Sequence, residues 1–334
     1  MQQASPSLID AAASLLRNGG LVAFPTETVY GLGANAADPL AVRRIFAAKG
    51  RPADHPLIVH LHDPGTLDYW ARDIPEKAYR LAESFWPGPL TLILKRGHAP
   101  LEVTGGQDTV GLRVPNHPVA LKLLEAFGGG VAAPSANRFG RVSPTRARHV
   151  RAEMKDKVDL ILDGGPCSVG VESTILSLAE AQPRLLRPGA IAQSALEEAL
   201  GDEIVAPIPA GGIRAPGMLD THYAPLTRFE VWPLSRLKPR GDELMRGGMR
   251  TAAIFIGDGG SAIQAGATGR SPLLAPFFLP GEPAEYARKL YAVLRLLDTA
   301  GFDALLAEAP PSLEAWRAVN DRLKRAACVA QFTP

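Results

Sequence analysis

The chain has 334 residues, 46% hydrophobic and 21% charged, with 36 Lys and Arg against 34 Asp and Glu and a formal net charge of +2. That size and balance suit one large or two ordinary globular domains, and they exclude a polycation that binds nucleic acid by bulk charge. Its 33 glycines and 30 prolines follow no repeating period, which excludes collagen-like and low-complexity chains and points to many tight turns.

In chain order, residues 7–18 read as an amphipathic helix closed by Gly19-Gly20, and 21–24 as a short strand running into Pro25-Thr26-Glu27-Thr28. A strand that opens into a hydroxyl-rich loop is where α/β proteins place ligands. Asp38-Pro39 supplies an N-cap and a proline for the first helical turn, 40–48 carries the helical period and Gly50 ends it, so Lys49 and Arg51 flank a helix end. Strands follow at 56–61, 90–95, 110–114, 131–133, 160–162 and 173–178, with helices at 76–85, 118–127 and 146–154. The pattern is a mixed α/β domain and not a strict βαβ repeat. The segment 207–226 is rich in proline and glycine, keeps no helical or strand period, and is expected to pack over a site as a lid. Beyond it, a strand at 251–257, a helix at 284–298, a strand at 302–307 and a helix at 313–327 predict a small second α/β domain. The expected division is 1–206, the linker 207–226, and 227–334.

Several chemistries are missing. There is no GxxxxGK[ST], HExxH or GxSxG, and Gly31-Leu32-Gly33 lacks the third glycine of a dinucleotide fingerprint. Cys167 and Cys328 have neither disulfide-framework nor zinc spacing. Apolar runs such as 252–256 are too short to span a bilayer, and Met1–Gln3 lacks the start of an export signal, so a cytoplasmic location without membrane contact is expected. His55 and His60 bracket one strand at an odd separation and point to opposite faces, which does not suit a shared metal.

What remains is a set of cations, hydroxyls and glycines at strand ends. Lys49 and Arg51 can clamp phosphate oxygens. Ser135, Asn137 and Ser143 offer hydroxyl and amide groups, Arg113 lies in an otherwise apolar strand, and Arg187 precedes Pro188-Gly189. Together these match the needs of a nucleotide triphosphate and a carboxylate substrate. A competing reading uses 138–151, with five arginines and no acid, as the RNA-binding face of a non-catalytic protein. The near-neutral charge and the lack of interleaved aromatics weigh against it.

Pro25-Thr26-Glu27-Thr28-Val29-Tyr30-Gly31-Leu32-Gly33, Ala48-Lys49-Gly50-Arg51-Pro52, Gly111-Leu112-Arg113-Val114-Pro115, Ala133-Pro134-Ser135-Ala136-Asn137, Glu172-Ser173-Thr174-Ile175 and Leu186-Arg187-Pro188-Gly189 resemble the YrdC-like domain. The linker with His222-Tyr223-Ala224-Pro225, and Asp321-Arg322-Leu323 near the end, resemble the two-domain form of the L-threonylcarbamoyladenylate synthase family. The resemblance implies a mixed-sheet YrdC-like domain joined to a smaller Rossmann-like α/β domain. It also implies synthesis of threonylcarbamoyl-adenylate and pyrophosphate from L-threonine, bicarbonate and ATP with Mg²⁺, for threonylcarbamoylation of tRNA.

By motif, the resemblance assigns Thr28, His60, Arg113, Ala133 and Ser173 to threonine. It assigns Lys49, Arg51, His55, Thr109, Ser135, Asn137, Ser143, Arg187 and Tyr223 to ATP, and no side chain to a metal. His55 stands where the family often carries Asn. The implied partners are the downstream tRNA threonylcarbamoyl transferase machinery and a tRNA contact. A related carbamoyl-adenylate transferase using carbamoyl phosphate is disfavoured because the chain lacks the extra cysteine clusters and acylphosphatase-like segments of that form.

Overall fold

The structure, a computed structural model, describes residues 4–205, 212–219, 222–257 and 274–327. Met1–Gln3, Cys328 and the linker residues 206–211 and 220–221 lie outside the described residues. The chain divides into two compact units, one of Met1–Phe139 with Ser143–Met218 and one of Gly140–Val142 with Leu219–Pro334. The boundary falls inside the 207–226 segment: its described residues up to Met218 belong to the first unit, and Leu219 with 222–226 to the second.

In the first unit the strands are β1 (Val22–Phe24), β2 (Gly31–Asn35), β3 (Ile58–His60), β4 (Leu90–Lys95), β5 (Thr109–Arg113), β6 (Val131–Ala132), β7 (Leu160–Ile161), β8 (Thr174–Ser177) and β9 (Arg184–Arg187). They form one mixed sheet in the order β7-β1-β2-β6-β3-β5-β4-β8-β9. Strand alternation sorts its residues. Val59, Leu90, Leu92, Leu94, Val110, Leu112 and Leu176 enter the main core with the helix Pro39–Lys49. On the opposite face the helices Pro6–Arg17 and Pro118–Phe127 cover Val22, Phe24, Val131 and Ala133 at one end. At the other end Ile58, Ile93, Ile175 and Leu186 meet Ala215, with Ile213 and Met218 beside it. The described part of the expected lid is therefore docked on the first unit as an apolar cover. Gln107 also bonds the Arg214 backbone on both sides, accepting from its N–H at 2.7 Å and donating to its C=O at 3.1 Å.

The second unit holds β10 (Arg228–Trp232), β11 (Thr251–Ile256), β12 (Ala275–Leu279) and β13 (Ala304–Glu308), all parallel, in the order β10-β13-β11-β12. The helix Leu234–Arg246 packs Leu237 and Leu244 on this sheet, and Pro283–Asp298 and Arg317–Ala327 complete the unit. Four strands thus replace the two legible in sequence. The two missed strands lie at the sheet edges, where Pro276 is tolerated in β12 because an edge strand need not donate on both sides. In β10, Glu230 is drawn into ion pairs with Arg228 and Arg240, which breaks the apolar pattern of the strand.

Candidate functional site

The site lies on the first unit's sheet, on the face between its two apolar covers. β3 and β5 are parallel and pair His60 with Arg113, so both side chains stand at the carboxyl ends of neighbouring strands. β4 runs antiparallel to β5 and parallel to β8, which brings Gly88 and Ser173, just before those strands, to the same edge. Carboxyl ends of parallel strands are the usual ligand position in α/β sheets.

Arg113 is buried, and all three of its guanidinium nitrogens have neighbours. Nε donates to the Gly88 carbonyl at 3.2 Å and Nη1 to Thr28 Oγ1 at 3.0 Å. Nη2 lies 2.7 Å from Glu27 Oε1, close as an ion pair yet not aligned as a hydrogen bond. Thr28 is held in turn by Thr26, whose Oγ1 lies 2.8 Å from Thr28 Oγ1 and accepts the backbone N–H groups of Thr28 and Val29. This hydroxyl turn fixes the loop without help from regular structure. Ser173 Oγ lies 2.8 Å from Thr91 Oγ1 and accepts from Arg187 Nη2 at 3.0 Å. Arg187 also donates to the Pro216 carbonyl at 2.9 Å, which ties the docked segment to the site. Ala133 is joined to β3 through its N–H to the Ile58 carbonyl. Gly189 passes so close to this edge that a Cβ there would stand 2.2 Å from the Thr174 nitrogen.

His60 is fully enclosed, its Nδ1 has no hydrogen-bond partner, and Phe24 meets its ring edge-on at 5.9 Å. Burial, reinforced by the Arg113 charge, pushes its pKa down to about 3, so the imidazole is neutral at physiological pH. An unfolded histidine near 6.5 takes up a proton that the folded one refuses, so the stability this site contributes is present above pH ~6.5 and is lost as pH falls towards about 3. Across that window the slope is about 1.4 kcal/mol per pH unit for one proton. Denaturant midpoints at pH 7, 5 and 4 should therefore fall more steeply for the wild type than for His60→Gln; parallel curves would remove the assignment.

A second cluster brings together five of the ATP-assigned residues, Lys49, Arg51, His55, Ser135 and Asn137, around Phe139. Lys49 ends its helix, with Gly50 left-handed behind it, and its buried ammonium donates to the carbonyls of Ser135, at 2.5 Å, and Asn137. The Phe139 N–H returns to the Lys49 carbonyl. Arg51 donates to the Pro56 carbonyl at 3.0 Å and lies over the Phe139 ring, which His55 meets edge-on at 5.3 Å. Burial and the Arg51 charge lower the His55 pKa. Ser143 Oγ donates to Glu172 Oε1 at 2.6 Å. Thr109 lies on the Arg113 face of β5 but at its other end, and is only half-buried. Tyr223 belongs to the second unit, where it is buried with φ +64, stacked on Tyr291 and faced by Arg322.

Sequence reading missed Glu27, Thr91, Glu172 and Phe139. Glu27 carries a legible signal, a lone acid in a run of hydroxyl and apolar residues, whereas the other three are recognisable only from their neighbours. Among the described residues the first unit buries four cations, Lys49, Arg51, Arg113 and Arg187, against two carboxylates, Glu27 and Glu172. Such an excess creates a potential suited to anionic ligands. The described residues contain no group of three His, Cys, Asp or Glu side chains that could hold a metal ion, and no helix long and apolar enough to cross a membrane. The two glycines of the incomplete dinucleotide fingerprint lie in β2, where a Cβ on Gly33 would meet Val131 and Phe24 below 3 Å. Close packing explains that glycine. Of the 138–151 arginines, Arg141 pairs with Asp298 at 2.8 Å, while Arg146, Arg148 and Arg151 are exposed on and beside the helix Ala147–Met154.

Residues 14–189 match a family model described as "Telomere recombination", and 191–328 match "Threonylcarbamoyl-AMP synthase, C-terminal domain". A threonylcarbamoyl-AMP synthase of Pyrococcus abyssi is 43% identical over 95% of this chain and 93% of its own length. One of Bacillus subtilis is 41% identical over 96% and 92%. The crystal structure of P. abyssi Sua5 complexed with L-threonine superposes with a TM-score of 0.86 at 40% identity, covering 98% of this chain and 96% of the other. The mixed nine-stranded sheet, the parallel four-stranded unit and these matches over nearly the whole length lead to one conclusion: the chain is an enzyme of the threonylcarbamoyl-AMP synthase family, in its two-domain form.

Proposed function

We propose that the first unit joins L-threonine, bicarbonate and ATP into L-threonylcarbamoyladenylate and pyrophosphate. The observation that carries the reading is Arg113, a buried guanidinium at a strand end, faced by the Thr28 hydroxyl, with Nη2 making no aligned hydrogen bond. Arg113 takes the threonine carboxylate, and Thr28, His60, Ala133 and Ser173 shape the pocket around it. Lys49, Arg51, His55, Thr109, Ser135, Asn137, Ser143 and Arg187 serve ATP.

No protein nucleophile is required. The threonine amine condenses with bicarbonate to a carbamate, releasing water; a carbamate oxygen then attacks the α-phosphorus in line, and pyrophosphate leaves. The chain's own work is positioning, charge stabilisation and exclusion of water from an unstable carbamate and mixed anhydride. The cover formed by Ile213, Ala215 and Met218 suits that exclusion. The two buried carboxylates are engaged by Arg113 and Ser143 and make no metal cage. Mg²⁺ would therefore come with the phosphates of ATP and would neutralise the departing pyrophosphate. The adenylate would pass, in the cytoplasm, to tRNA threonylcarbamoyl transferase machinery, with Arg146, Arg148 and Arg151 available for a direct tRNA contact.

The test is pyrophosphate release from purified protein. It should require threonine and bicarbonate together, and release that persists when threonine is omitted would sink the reading.

A further inference from the structure

We infer that Glu27 is a specificity-determining residue of this same site, holding the α-amino group of the amino-acid substrate while Arg113 holds its carboxylate. The inference rests on the reading of Arg113 above. Glu27 is 4% exposed, yet its Oε2 has no hydrogen-bond partner, and its Oε1 meets Arg113 Nη2 at 2.7 Å without an aligned hydrogen bond. Removing a carboxylate from water and leaving its acceptors unmet is costly, and a single neighbouring cation offsets that cost only when further hydrogen bonds complete the pair. Two neighbouring atoms share the condition: Arg113 Nη2 has no aligned acceptor, and His60 Nδ1, on the adjoining strand, has no partner.

The missing groups are thus an acceptor of N–H bonds at Arg113 and a donor of N–H bonds at Glu27, side by side. An α-amino acid carries that complement on one carbon, a carboxylate and an ammonium. Inserted beside the Arg113–Glu27 pair it makes a square of alternating charge and completes hydrogen bonds at both ends. Charge-assisted bonds of this kind are the stronger class. Glu27 keeps its use after the ammonium loses a proton, since an amine and a carbamate N–H still donate. The device selects α-amino acids over α-hydroxy acids of the same shape, because a hydroxyl offers Glu27 one neutral O–H bond where the ammonium offers charge-assisted bonds and neutralises the carboxylate.

The experiment is calorimetric binding to the full-length protein of two probes, L-threonine and the dihydroxybutyrate of matching configuration that carries a hydroxyl in place of the α-amine. Wild-type protein is expected to prefer threonine by on the order of 10-fold, the scale of a charge-assisted hydrogen bond replaced by a neutral donor. Glu27→Gln should shrink that preference to within about threefold by weakening threonine while leaving the hydroxy acid nearly unchanged, and Glu27→Asp should retain part of it. Should Glu27→Gln fail to fold, the wild type decides alone: equal affinity for the two probes overturns the inference and leaves the threonine site standing. An unchanged preference in a folded Glu27→Gln protein overturns it equally. Binding of neither probe to the wild type overturns the threonine reading, and the inference with it.

Discussion

Replacing Arg113 with alanine is expected to raise the threonine requirement by on the order of 10- to 100-fold and to lower folding stability by about 3–5 kcal/mol. Both effects come from the same guanidinium. It donates to the Gly88 carbonyl and to Thr28 Oγ1 and stands against the buried Glu27 carboxylate. Truncation leaves the buried Glu27 carboxylate without its cation, and a buried charge that has lost its partner is among the more costly defects a core can carry. The binding loss is separate, because the substrate carboxylate loses a charge-assisted, bidentate-capable partner.

Two measurements separate the effects. Guanidinium denaturation reads the stability, and the threonine KM for pyrophosphate release reads the binding. Arg113→Lys should retain much of the stability but little of the affinity, since an ammonium supplies the charge without the planar fork. An unchanged threonine KM in folded Arg113→Ala protein would overturn the placement of the substrate carboxylate.

Much of the first unit is legible in sequence because its strands are short apolar runs, buried on both faces, between clear turn residues. β4 shows its inward leucines at 90, 92 and 94, and the helices Pro39–Lys49 and Pro118–Phe127 start on a capping residue and a proline. The ends of elements are less legible, since Pro56 and Leu57 look like strand but only Ile58–His60 enters the ladder. β2 is hidden by its own glycines, which resemble half of a dinucleotide fingerprint although Gly33 is small because Val131 and Phe24 press on it. In the second unit, Pro239 and Gly241 interrupt the pattern of the helix Leu234–Arg246, and the two edge strands escape notice because an edge tolerates proline and charge.

The site was legible as a set of residue types but not as a geometry. Hydroxyls and cations could be named from motifs, yet no periodicity says that Arg113 faces Glu27, or that Lys49 reaches two carbonyls some ninety positions along the chain. Those pairings are set by the order of strands in the sheet, where β3 lies beside both β5 and β6, and strand order is a property of long-range packing that local sequence does not encode.

Lys49 yields the second large effect. Its ammonium, 3% exposed, donates to the Ser135 and Asn137 carbonyls, and the Phe139 N–H returns to its own carbonyl. The residue therefore does two things: it sets the conformation of the loop that presents Ser135 and Asn137, and it places a positive charge beside them. Lys49→Met keeps most of the volume and the helix propensity but removes both functions. The half-buried Ser135 carbonyl and the buried Asn137 carbonyl then lose a donor, at about 1–3 kcal/mol each where water does not replace it. The ATP-dependent kcat/KM should fall on the order of 100- to 1,000-fold, the range seen when one preorganised donor of transition-state charge is lost. Lys49→Arg is expected to recover little, because a planar guanidinium cannot reproduce the two bonds that one compact ammonium makes to neighbouring carbonyls. Threonine affinity, measured by calorimetry without ATP, should stay within about threefold of the wild type, since the Arg113 cluster keeps its own partners. A folded Lys49→Met protein with unchanged ATP kinetics would remove Lys49 from the nucleotide site. A parallel loss of threonine affinity would mean instead that the 135–137 loop supports both subsites through its bond between the Ala136 N–H and the Tyr30 carbonyl.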